Sequence, residues 1–70
     1  MEEFAVRLQK LRESKRPLRS RRVTSELMGL STNALQKYER GEAIPMADSL
    51  LKIADYYKVS ADYLLGRTRY

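Results

Sequence analysis

The chain has 70 residues, a formal net charge of +5, and neither cysteine nor histidine. This length allows one domain at most, and a compact apolar core has to stabilise it because no disulfide can form. The composition also excludes a thiolate metal site, a cysteine nucleophile and a histidine general base. No apolar run approaches the roughly 18 residues of a membrane helix, and no signal-peptide core follows Met1. We therefore expect a cytoplasmic protein.

The positive charge is concentrated in one segment. Between Arg7 and Arg22 there are eight cations and a single acid, Glu13, whereas residues 23–70 balance six cations against six acids. A local basic patch is the electrostatic footprint expected of a nucleic-acid binder. Anionic lipid or an acidic protein would meet the same patch, so the charge alone leaves the partner open.

The first predicted helix covers residues 3–14. Its apolar stripe, at helical spacing, consists of Phe4, Leu8 and Leu11. Pro17 then breaks the pattern, and we expect Leu18 to return to the core. A second helix opens at Arg19 or Ser20 and stops near Gly29.

The third predicted helix lies in the segment GLSTNALQKYERG, residues 29–41. Ser31 is its expected N-cap, and Gly41 is placed for the left-handed residue that ends many helices. Leu35 and Tyr38 mark an apolar face. The opposite face carries Thr32, Asn33, Gln36, Lys37 and Arg40. Their mixture of donors, acceptors and cations suits a binding surface, although an ordinary solvated face also shows it.

Two more helices complete the prediction. A fourth runs from about Met46 to Tyr57, after a turn through Pro45. Its apolar positions are Leu50, Ile53, Ala54 and Tyr57. A short fifth helix is capped by Ser60 and ended by Gly66. No strand pattern appears, so the predicted fold is all-α: one compact five-helix domain over residues 1–66, with residues 67–70 as a C-terminal tail.

Two motifs carry a family resemblance. The segment YERG at residues 38–41 is followed by Pro45, and ADYYKVSADYLLG occupies residues 54–66. Together they resemble the helix-turn-helix domain of Cro- and C1-type repressors, the XRE family, over about residues 4–66. The resemblance implies a five-helix DNA-binding domain whose third helix enters the major groove. It further implies a dimeric repressor on a palindromic operator of a phage, a mobile element or a bacterial operon.

One part of the second helix departs from the family pattern. Counting back from Gly29, Ser25 occupies the expected small position, but Thr24 stands where the family has an apolar residue. Counting forward from the first helix instead favours Val23 and Leu27 as core residues, which are four positions apart. We adopt the second register, and the residue at which this helix begins stays open among positions 20–22.

The resemblance implies roles for individual side chains. The residues expected to contact bases are Thr32, Asn33, Gln36 and Lys37. Gln36 is suited to paired hydrogen bonds with adenine. The residues expected to contact phosphates are Arg21, Arg22, Ser31, Arg40 and Arg19. Alternatives remain for several of them: Thr32 and Asn33 also suit an N-cap, and Arg40 also suits a structural role. Glu39 is assigned to structure, and the tyrosines on apolar stripes are assigned to the core.

The resulting prediction is a non-enzymatic regulator that binds double-stranded DNA as a homodimer. The expected dimer interface is the fifth helix with the tail, through Leu65 or Tyr70. No cofactor, metal, membrane or small-molecule ligand is expected. Two alternatives are an antitoxin that autoregulates its own operon and a protein-interaction module that does not read DNA.

Overall fold

Helices account for most of the chain. The computed structural model describes residues 2–69, except for the side chain of Glu2. In this range the helices are α1 (Glu2–Ser14), α2 (Arg21–Leu27), α3 (Ala34–Glu39), α4 (Ala47–Tyr57) and α5 (Ala61–Leu64). No strand occurs within the described range, so the predicted all-α class is confirmed. None of the five described helices is long and apolar enough to cross a membrane.

A single hydrophobic core joins these helices. Its buried members are Phe4, Leu8, Met28, Leu35, Ile53, Ala54 and Leu64. The ring of Phe4 meets the ring of Tyr38 edge-on, with centroids 6.0 Å apart, a geometry that aromatic quadrupoles favour. Helix α3 packs against both α1 and α2. The core therefore holds one face of α3 in place.

Glycine ends α3 as predicted. Gly41 has a φ of +74°, and its N–H donates to the carbonyl of Tyr38 at 3.1 Å. The N–H of Glu42 donates to the carbonyl of Lys37 at 2.9 Å. These two bonds form a Schellman motif, which requires the left-handed conformation that glycine adopts without strain. Gly29 ends α2 in the same conformation, with a φ of +80°.

The predicted core residues of α2 are wrong. Val23 and Leu27 are 42% and 54% exposed, whereas Thr24, Ser25 and Met28 are buried. The register counted back from Gly29 is therefore the correct one. Ser20 is the N-cap, with its side chain accepting from the Val23 N–H, and the helix begins at Arg21.

Local hydrogen bonds explain how two polar residues of α2 are buried. The hydroxyl of Thr24 donates to the carbonyl of Ser20, and the hydroxyl of Ser25 donates to the carbonyl of Arg21, both at 2.8 Å. A buried polar group is tolerated when it is paired in this way.

Helix α3 begins later than expected. It starts at Ala34, and Asn33 is the N-cap, with no side-chain capping bond. Ser31 is not the cap; its carbonyl instead accepts from the Ala34 N–H at 3.0 Å. Ser25 supplies the capping oxygen from α2, because its hydroxyl accepts from the buried Leu35 N–H at 3.0 Å.

Leu18 does not return to the core and is exposed. The segment between α1 and α2 is held by polar contacts instead. Arg19 donates to the hydroxyl of Tyr56, and Arg12 donates to the carbonyl of Arg19, each at 3.4 Å. With these contacts on the inner side of the segment, the side chain of Leu18 is left facing solvent.

Candidate nucleic-acid interface

The polar face of α3, defined as Thr32, Asn33, Gln36, Lys37 and Arg40, lies on the surface of the molecule. Gln36 is half-buried and the other four residues are exposed. On the opposite side, Ala34 and Leu35 are buried in the core. The structure therefore contains the apolar and polar faces of α3 that the sequence predicted.

Three of the four predicted base-contact residues share one shallow depression. Asn33, Gln36 and Lys37 line it together with Glu42. Thr32 lies just before them, on the turn that leads into α3. Sequence reasoning missed Glu42, although the motif that ends α3 held a signal for it. A Schellman motif brings the second residue after the helix back to the last turn, which here sets Glu42 beside Lys37.

Gln36 and Arg40 interact within this face. With the carboxamide oxygen of Gln36 turned towards Arg40, that oxygen accepts from both Nη1 and Nη2 at 3.3 Å. Arg40 Nη1 also lies 3.8 Å from the carboxylate of Glu42. These two contacts restrict the guanidinium of Arg40, which in turn orients the carboxamide of Gln36.

The predicted phosphate-contact residues fall into two groups. Arg21, Arg22, Ser31 and Arg40 are exposed. Arg22 lies 3.8 Å from Glu26, one turn along α2, and Arg21 lies 4.0 Å from Glu39. Arg19 is different, because it is half-buried and its guanidinium donates to Tyr56.

Some cations of the basic segment make internal contacts. Arg7 pairs with Glu3 at 3.1 Å and stacks over the ring of Tyr63 at 4.5 Å from its centroid. It also donates to the carbonyl of Thr68 at 2.7 Å, which connects α1 to the residues after α5. Some cations of the basic segment are therefore exposed on the surface, whereas others, such as Arg7, hold parts of the fold together.

A buried ion pair that sequence reasoning missed links α1 to α3. Arg12 donates to both carboxylate oxygens of Glu39, at 2.8 and 3.1 Å. The side chains are 14% and 2% exposed respectively. The hydrogen bond to Glu39 raises the pKa of Arg12, so the guanidinium is charged at all accessible pH values. Glu39 thus acts structurally, behind the exposed face of α3.

The sequence that forms these helices matches a known protein family. The family model described as helix-turn-helix matches residues 8–64. The chain belongs to the helix-turn-helix family. The resemblance predicted from the YERG and ADYYKVSADYLLG segments is confirmed. Helices α2 and α3, joined by residues 28–33, form the motif that gives this family its name.

Two curated relatives share part of the sequence. The HTH-type transcriptional regulator ImmR of Bacillus subtilis (strain 168) is 40% identical over 48 residues, which cover 69% of this chain and 38% of that protein. The cryptic phage CTXphi transcriptional repressor RstR of Vibrio cholerae serotype O1 (strain ATCC 39315 / El Tor Inaba N16961) is 45% identical over 40 residues, covering 57% of this chain and 36% of that protein. The chain therefore spans less than two-fifths of either relative. No solved structure gives a significant match.

Proposed function

We propose that the chain is a sequence-specific, double-stranded DNA-binding transcriptional regulator that acts as a repressor. The observation that carries this proposal is the exposed depression on α3, which gathers Asn33, Gln36 and Lys37 while the other face of the helix is buried. Membership of the helix-turn-helix family supports it. So do two relatives, which are named as a transcriptional regulator and a phage repressor.

In this proposal α3 lies in the major groove and its polar face reads base edges. Amide and ammonium side chains match the donor and acceptor pattern that distinguishes base pairs there. The exposed cations Arg21, Arg22 and Arg40 contact phosphates, together with Ser31 near the start of α3. Arg19 contributes mainly through its charge, because its guanidinium is engaged with Tyr56.

The proposal includes a homodimer in the cytoplasm. Two copies would set their α3 helices in successive major grooves, with half-sites roughly 34 Å apart on a palindromic operator. A domain of this size makes few contacts alone, so pairing raises both affinity and specificity. Bound at an operator of a phage, a mobile element or a bacterial operon, the dimer would repress by excluding polymerase. We assign residues 1–66 to DNA binding and residues 67–70 to a tail.

Selection of bound duplexes from a random pool tests this function. Wild type and Gln36→Ala are compared at two salt concentrations. Wild type should enrich a palindrome, and Gln36→Ala should lose preference at one base pair per half-site, by about 1–3 kcal/mol. Affinity should fall as salt rises, because each neutralised phosphate releases counterions.

A matched glutamine provides the control. Gln9 lies on the exposed side of α1, where its amide donates to Glu13 at 3.0 Å, and Gln9→Ala should leave the enriched sequence unchanged. Salt-sensitive binding without any enriched sequence would reduce the function to non-specific phosphate binding. An absence of binding would contradict the proposal and favour a protein-interaction module.

A further inference from the structure

The side chain of Gln36 does not face the solvent as a free amide. Arg40, one turn later on α3, has Nη1 and Nη2 each 3.3 Å from the terminal amide atom of Gln36 that faces it, and two N–H donors can pair with the carboxamide there only when that atom is its oxygen. We propose that Arg40 fixes Gln36 as a hydrogen-bond donor, so that Gln36 selects guanine rather than adenine. This inference rests on the proposed DNA-binding function and assigns the base that one residue reads.

The donors and lone pairs of the Gln36 amide determine which bases it can pair with. A carboxamide carries two N–H donors and one oxygen with two lone pairs. Paired recognition of adenine requires both ends of the amide, since the oxygen accepts from N6 while the NH2 group donates to N7. With the carboxamide in this orientation, the oxygen of Gln36 accepts from both Nη1 and Nη2 of Arg40. The NH2 group remains, and it can only donate.

Guanine is the base whose edge suits such a donor. In the major groove it presents two adjacent acceptors, N7 and O6, and no donor. Lys37 lines the same depression as Gln36 and adds ammonium donors. Cytosine opposite guanine presents an amino donor, for which the carboxylate of Glu42 in the same depression is an acceptor. The depression therefore contains donors of the kind that guanine accepts from and an acceptor of the kind that cytosine donates to.

The orientation is persistent because both partners are restrained. The guanidinium of Arg40 is planar and holds its two Nη donors in a fixed, parallel arrangement. Arg40 Nη1 also lies 3.8 Å from the carboxylate of Glu42, which attracts the guanidinium. Gln36 itself is half-buried, so its side chain has fewer rotamers to sample than an exposed glutamine.

The test measures base preference at the base pair that Gln36→Ala affects. Full-length protein is titrated against four duplexes that differ only at that pair, for wild type, Arg40→Leu and Arg40→Lys. Wild type should favour guanine over adenine by about tenfold. Arg40→Leu frees the oxygen of Gln36 and should reverse the ratio towards adenine. Arg40→Lys retains the charge but not the paired donors, so the ratio should fall while the salt dependence is unchanged.

Arg22→Leu is the matched control. It also removes an exposed cation with an acidic neighbour, but Arg22 lies on α2 and is not paired with Gln36. Its affinity should fall for all four duplexes alike, with the guanine preference retained. A wild-type preference for adenine, a ratio unmoved by Arg40→Leu, or an enriched operator that Gln36→Ala leaves unaltered would each overturn the inference while DNA reading stands. Failure of wild type to enrich any sequence would overturn both proposals.

Discussion

Tyr57 is the last residue of α4, and its hydroxyl is buried without a hydrogen-bond partner among residues 2–69. Burial raises the pKa of Tyr57 to about 12, with Tyr56 and Glu39 acting in the same direction and Arg12 opposing them. The fold therefore accommodates the neutral phenol and disfavours the phenolate. Even the neutral phenol is poorly satisfied, since a buried hydroxyl without a partner has lost its bonds to water.

Tyr57→Phe tests this residue through the pH dependence of stability. At neutral pH the variant should be equal to wild type or more stable by up to about 1 kcal/mol, because the unpaired hydroxyl is removed. Tyrosine in the unfolded chain releases its proton near pH 10, whereas Tyr57 in the folded chain retains it to about pH 12. The folded state then binds more protons, so wild type loses stability as pH rises between these values. The free energy of unfolding, measured by urea titration from pH 9 to 12, should fall less steeply in Tyr57→Phe.

The comparison isolates one group because the other tyrosines and the lysines are common to both proteins. Parallel stability curves for the two proteins across this pH range would contradict the assignment. A large loss of stability at neutral pH would mean that the Tyr57 hydroxyl has a partner in solution.

At the level of elements, the corner between α2 and α3 depends on Ser25. Its fully buried hydroxyl accepts from the Leu35 N–H at 3.0 Å and donates to the carbonyl of Arg21 at 2.8 Å. Ser25→Ala removes the acceptor and leaves the Leu35 N–H buried and unpaired. We expect a loss of about 1–3 kcal/mol in the free energy of unfolding, measured by urea titration.

A second serine serves as the control for Ser25. Ser14 is exposed and donates to the carbonyl of Leu11 at 3.1 Å, so Ser14→Ala should change stability by less than about 0.5 kcal/mol. Equal effects of the two substitutions would contradict the role of Ser25 as a cap supplied from a neighbouring helix. Hydrogen exchange at Leu35 gives a direct reading, because its amide should lose protection in Ser25→Ala.

Periodicity predicted the elements whose stability is decided within their own segment. In α1 the buried Phe4 and Leu8 lie one helical turn apart, and in α4 the buried Ile53 and Ala54 lie one turn from Leu50 and one turn from Tyr57, which pack against the same core. Gly41 ended its helix as expected, because the need for a positive φ is local. The polar face of α3 was predicted for the same reason, since its apolar residues define which side is buried.

The errors lie where a neighbouring element decides the outcome. Hydrophobicity favours Val23 and Leu27 over Thr24 and Ser25, but the fold buries the two polar residues, whose hydroxyls donate to backbone carbonyls one turn earlier. The start of α3 was misplaced because its capping oxygen comes from Ser25, ten residues before the N–H that it accepts from. Contacts of this kind leave no periodic signal in either segment.

At the scale of the whole molecule, the proposed dimer requires an exposed surface outside the DNA-binding face. Leu65, one of the two residues expected at the dimer interface, is the C-cap of α5 and is half-buried; the other, Tyr70, lies outside the described residues. Leu65→Glu should shift a dimer to monomer in sedimentation, because a carboxylate is costly to bury at an interface. Leu51→Glu, at an exposed leucine of α4, should leave the assembly unchanged. A Leu65→Glu protein that remains dimeric would place the interface elsewhere.

The ion pair between Arg12 and Glu39 joins the basic first helix to the back of α3. Arg12 donates one hydrogen bond to each carboxylate oxygen of Glu39. The side chain of Glu39 is almost inaccessible to water. Burying both charges has a large desolvation cost, so the pair adds little compared with apolar residues of the same volume. Removing one partner is different, because the other charge is then buried alone.

Glu39→Gln should therefore lower the free energy of unfolding by about 3–5 kcal/mol, a large share of the total for a domain of this size. Urea titration measures the change. Replacing both residues, as Arg12→Met with Glu39→Leu, should recover most of the loss, since no unpaired charge remains. The exposed pair of Arg22 and Glu26, 3.8 Å apart, is the matched comparison, and Glu26→Gln should change stability by less than about 1 kcal/mol. Similar losses for Glu39→Gln and Glu26→Gln would show that water reaches Glu39. The attachment of α3 to α1 would then depend on apolar packing alone.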